Sequence, residues 1–104
     1  MPTEIEHKLI KYFELTGNAL KKVRISSIED ANLRKSAEEI LDLSKRYFED
    51  AKYFSGRGEY INAFGAVVYS HAFLDIGAII GLFDVDDDNL FMVDRNSRGS
   101  NEKR

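Results

Sequence analysis

The chain has no cysteine and no tryptophan, and its single proline is the second residue. Without cysteine there is no disulfide to staple a small fold and no thiol for catalysis or metal binding, so the apolar core must hold the fold, and a reducing, cytoplasmic compartment suits it. With no proline beyond Pro2, the seven glycines are the main punctuation left. A long uncharged run is missing too. The longest opens at Tyr60, closes at Asp75 and contains Asn62, Ser70 and His71, so neither a membrane span nor a signal peptide is expected. Nor is there an excess of positive charge: 15 Lys and Arg against 18 Asp and Glu give a net charge of -3. The basic residues are scattered and form no stripe that would displace counterions from a phosphate backbone. Neither nucleic acid nor a membrane is an expected partner.

What the chain does have is apolar area at helical spacing. Its 104 residues, 43% of them hydrophobic and including seven Phe and five Tyr, suffice for one domain with its own core. Thr3 followed by Glu6 reads as a capping box, so a first helix starts there. Its apolar positions Ile5, Leu9, Tyr12, Thr16, Ala19 and Val23 step by three and four, with Ile10, Phe13, Gly17 and Leu20 as a second stripe. Residues Ile25 to Asn32 break the pattern and read as a connection, with Ser26 and Ser27 as possible caps. In a second helix Leu33, Ala37, Ile40, Ser44, Tyr47, Ala51 and Phe54 alternate steps of four and three, the spacing of a packing seam. This helix is expected to supply the centre of the bundle. Gly56-Arg57-Gly58 then gives a tight turn.

A third helix, from about Glu59 to Phe83, follows in the antiparallel direction. One face holds Phe64, Val68, His71, Asp75, Ala78 and Leu82, and nearly opposite lie Tyr69, Phe73, Ile76 and Ile80. A third strip, Ala63, Ala66, Ser70, Gly77 and Gly81, is small enough to let a neighbouring backbone approach. Apolar nearly all round, this helix needs more cover than two neighbours give. The expected fold is therefore all-α: a three-helix up-and-down bundle over residues 1–94 with a short extended C-terminal segment, Leu90 to Val93, then a disordered tail over 95–104.

Candidate chemistry is sparse. His71 and Asp75, four apart on one helical face, can form a carboxylate–imidazole pair. Read as function, that pair with Tyr69 lines a polar cleft for a small molecule or nucleotide. Read as structure, it is a buried hydrogen-bonded pair that fixes helix packing. No nucleophile stands beside it, and His7 is the one other histidine, so neither a catalytic residue nor a metal ligand is assigned. Asp84, Asp86 and Asp88 alternate like calcium-loop ligands, but Asn89 stands where glycine belongs and Arg95 where glutamate belongs. No cofactor is expected.

Several segments carry a likeness. Asp50-Ala51-Lys52-Tyr53-Phe54, Tyr60-Ile61-Asn62-Ala63-Phe64, the run from Tyr69-Ser70-His71 to Leu74-Asp75-Ile76-Gly77, and Gly81-Leu82-Phe83 resemble the archaeal family called domain of unknown function 357, over about Ser36 to Val93. The resemblance implies a cytoplasmic three-helix bundle and no activity, since that family is itself uncharacterised. The expectation is a non-catalytic module for protein interaction or homo-dimerisation, with Tyr69, Phe73, Ile76 and Ile80 as its interface; the alternative is the small-molecule cleft.

Overall fold

The structure, a computed structural model, describes residues 3–84. The expected C-terminal segment Leu90 to Val93, the limit of the bundle at residue 94, the tail 95–104 and the aspartates beyond Asp84 lie outside the described residues. Three helices, α1 (Glu4–Lys22), α2 (Ala31–Gly56) and α3 (Tyr60–Ile79), form an all-α bundle, and two short strands, β1 (Arg24–Ile25) and β2 (Phe83–Asp84), pair antiparallel with Ile25 opposite Phe83.

Local chemistry sets each boundary. At the start of α1 the Thr3 hydroxyl accepts from the Glu6 amide at 3.2 Å while the Glu6 carboxylate accepts from the Thr3 amide at 2.8 Å, the expected capping box. The cap of α2 is Asp30, whose carboxylate accepts from the Leu33 amide at 2.9 Å. Ser26 and Ser27 are not caps: the Ser26 amide donates instead to the Leu82 carbonyl, continuing the strand pairing. α3 ends four residues earlier than its periodicity suggests. Gly81 takes a left-handed φ of +82°, the Leu82 amide bonds back to the Gly77 carbonyl and the Gly81 amide to that of Ala78, a Schellman ending that glycine alone adopts without strain. The reversal folds Leu82 and Phe83 back into the core.

The small residues explain how α2 and α3 approach. Ala37, Ser44 and Ala51 stand seven apart on α2, and Ala63, Ser70 and Gly77 seven apart on α3, all fully or nearly fully buried. Ser44 and Ser70 face each other: the Ser44 hydroxyl donates to the Ser70 carbonyl at 2.8 Å and the Ser70 hydroxyl to the Ser44 carbonyl at 2.7 Å. That level sets Ala51 opposite Ala63, while the ring of Phe83 lies on Gly77.

The central helix is α3, not α2. Both others pack on it, while α1 and α2 touch little beyond the edge-on contact of Phe13 with Phe48 at 5.5 Å. An apolar circumference suits the middle position, whereas the charged far side of α2, from Lys35 to Glu49, suits the outside. Leu33, expected in the seam, is exposed at the first turn of α2.

Two apolar clusters result. One gathers Leu9, Ala51, Ala63, Ala66 and Val67 with the rings of Tyr12, Phe48, Phe54 and Phe64 around them. The other gathers Ala19, Ala37, Leu74, Leu82 and Phe83. Between the two lies a layer of four fully buried polar side chains, Thr16 from α1, Ser44 from α2, and Ser70 and His71 from α3.

Candidate functional site

Position along the helices builds this layer. Thr16 lies between Leu9 and Ala19 on the inner face of α1, and Ser44 midway between Ala37 and Ala51 on α2. Ser70 and His71 are neighbours in sequence, so they point about 100° apart, Ser70 at α2 and His71 at α1. Each therefore meets one partner helix. The Thr16 hydroxyl lies 2.7 Å from His71 Nδ1, and on the ring's other edge Nε2 lies 3.7 Å from the Asp75 carboxylate, one turn further along.

The electrostatics follow. Burial disfavours the charged imidazolium and pushes the His71 pKa down to about 4, so the ring is neutral at pH 7 and carries one proton. A carboxylate facing Nε2 places that proton on Nε2 and leaves Nδ1 to accept from Thr16, a tautomer assigned from its partners. Thr16→Val keeps the side-chain shape but leaves Nδ1 buried without its donor. That substitution is expected to lower stability by about 1–3 kcal/mol, while Thr16→Ser largely retains it. Urea denaturation of the two variants checks this, and equal stability of Thr16→Val and wild type removes the hydrogen bond from the account.

The expected cleft of Tyr69, His71 and Asp75 is not formed. Tyr69 and His71 are two residues apart and so lie about 200° apart around α3. His71 has no exposed surface, whereas Tyr69 is 60% exposed and lies edge-on to Tyr47 of α2 at 5.4 Å. Asp75 is largely buried beside His71, its side chain 14% exposed. A surface depression of the described residues, lined by Lys8, Lys11, Tyr12, Leu15 and Phe64, contains none of the three. Among the described residues the imidazole is closed off from solvent. Among the described residues no group of three or more His, Cys, Asp or Glu is placed to hold a metal ion.

The second expected site, the stripe Tyr69, Phe73, Ile76 and Ile80, does lie together on the outward side of α3. Tyr69, Ile76 and Ile80 are exposed, and Phe73 is half-buried, stacked on Tyr47 at 5.7 Å. Periodicity misplaced its centre. The outward face also includes exposed Ile61 and Ile79, exposed Gly65 and half-buried Ala72, so Phe73 is its margin rather than its middle. The signal was available in the small residues, because a helix packed on two neighbours leaves free the side opposite both.

Compared with known protein families, the chain matches, over residues 11–83, the model described as a protein of unknown function, DUF357. The match takes in most of α1, beyond the expected start at Ser36, and stops at Phe83 in β2. No curated protein and no solved structure matches the chain.

Proposed function

The chain belongs to the DUF357 family, and from that premise we propose that it is a non-catalytic, cytoplasmic interaction module whose working surface is the outward face of α3. One observation carries this reading. That face exposes Ile61, Tyr69, Ile76, Ile79 and Ile80 and bears no charged side chain, because the one charged residue within α3, Asp75, is turned against His71. Contiguous apolar patches beyond a few hundred Å² are rare on soluble monomers and mark contact surfaces. The opposite side of the molecule is of another kind, with Lys35, Glu38, Glu39, Asp42 and Arg46 of α2 exposed to solvent. No helix among the described residues is long and apolar enough to cross a membrane. The absence of cysteine supports a reducing compartment.

A photo-crosslinking residue placed at Ile76 tests the reading in the cells the protein comes from. It is expected to give a discrete protein adduct, while the same residue at Lys45 on the charged side of α2 gives none. Failure of the Ile76 probe to capture anything disproves an interaction surface on α3.

A further inference from the structure

The outward face of α3 has a finer pattern than its apolar character. Asn62, Gly65, Tyr69, Ala72, Ile76 and Ile79 follow at steps of three, four, three, four and three. That is the 3.5-residue period of a seam that packs on another helix. α3 already packs against α2 through its small residues Ala63 and Ser70. The second seam has no partner helix among the described residues, and its six side chains are exposed save half-buried Ala72.

Large and small residues alternate along it in a way that fits a copy of itself. If two such helices lie antiparallel about a two-fold axis midway between positions 70 and 71, Tyr69 of one meets Ala72 of the other. Ile76 meets Gly65 and Ile79 meets Asn62, each pairing occurring twice, as an isologous contact requires. Every bulky side chain at the centre thus faces a gap left by a small one, as close-packed interiors require. A parallel pair instead stacks Tyr69 on Tyr69 and leaves a void between two copies of Gly65. With no charge on the face, no like charges are brought together at the axis.

Resting on the interaction reading above, we infer that α3 forms a two-fold antiparallel helix pair with α3 of a second copy of this chain, Tyr69 and Ala72 lying beside the axis. At 1.5 Å per residue the seam is about 26 Å long. With its flanking side chains it covers several hundred Å² per copy, the size of a reversible rather than an obligate interface.

Sedimentation equilibrium of the full chain from about 1 to 100 µM, where contacts of this size associate, is expected to show a monomer–dimer equilibrium. Ala72→Glu puts two carboxylates beside the axis and is expected to give a monomer of unchanged helicity by circular dichroism. Because the chain has no cysteine, single cysteines report the direction of pairing. A mixture of Gly65→Cys chains and Ile76→Cys chains should form the mixed disulfide under mild oxidation, while either variant alone remains largely reduced. A wild type that is monomeric throughout overturns the inference, as does an Ala72→Glu variant that stays dimeric or a disulfide formed readily by Gly65→Cys alone. A monomer whose Ile76 probe captures a different protein also overturns it, yet leaves the interaction-module reading standing.

Discussion

As the pH falls from 7 to 5 the protein is expected to lose about 2 kcal/mol of stability through His71 alone, and about 3 kcal/mol by pH 4, at about 1.4 kcal/mol per pH unit of displacement. In the unfolded chain His71 takes up a proton below its ordinary value of 6.5, whereas in the folded chain burial delays this to about 4. Between those values the unfolded state binds more protons, so stability rises with pH. The contribution is complete above pH 6.5 and is lost as the pH falls toward 4. His71→Gln is the reference, since its amide can accept from Thr16 and donate toward Asp75 but does not titrate. Urea denaturation of both proteins at pH 7, 6 and 5 isolates the effect, because the two differ only at position 71. A difference between the two proteins that stays constant across this range means that His71 titrates as if exposed and that the polar layer is wet.

Gly77→Ala is expected to destabilise the protein by about 3 kcal/mol, although alanine is the better helix former. A Cβ at position 77 would collide with carbons of the Phe83 ring, which packs directly on the bare backbone there. Phe83 is 3% exposed, opposite Ile25 in the strand pair and within the cluster of Ala19, Ala37, Leu74 and Leu82. Expelling a buried Phe costs about as much as its truncation, 3–5 kcal/mol, offset by about 1 kcal/mol of helix propensity. A double-mutant cycle makes the cause explicit: with Phe83→Ala already present, Gly77→Ala should become neutral or stabilising. Additive losses in that cycle mean the glycine serves something other than the Phe83 ring. The small strip of α3 therefore has two uses, a close approach of α2 at Ala63 and Ser70 and a seat for an aromatic ring at Gly77.

Helix positions and helix faces were legible in the sequence because periodicity reports them directly. The capping box at Thr3, the seam from Ala37 to Phe54 and the turn at Gly58 follow from residue type and spacing, which act over a few residues. Which helix lies at the centre depends on comparing all three, and the unbroken seam of α2 outweighed the more telling fact that α3 has almost no polar side. The end of α3 was missed because Leu82 and Phe83 continue its apolar pattern. They are apolar because they fold back into the same core, so periodicity does not separate the two cases, whereas Gly81 does. The strands, two residues each, are too short for any alternation to appear. At the candidate site the pairing of His71 with Asp75 was readable from their spacing. The contact with Thr16 was not, since it joins residues 55 apart in sequence. Placing Tyr69 with His71 failed on geometry the sequence already contained, since residues two apart on a helix point to opposite sides.

Seams of small residues spaced by seven have a weakness: sliding one helix by a full heptad brings small residues opposite small residues again, so shape alone ranks such alignments nearly equal. The four polar groups at mid-height remove that degeneracy. After a slide of α2 along α3, Ser44 would face Ala63 or Gly77, and the two serine hydroxyls, now 3.2 Å apart, would lose each other and keep only a backbone carbonyl of the new neighbour to donate to. A slide of α1 would likewise separate Thr16 from His71. Each buried group stranded in this way costs about 1–3 kcal/mol, a large part of the 5–15 kcal/mol that holds an ordinary small domain together. The polar layer thus acts less as a source of stability than as an index mark, telling both outer helices at what height to stop against the central one.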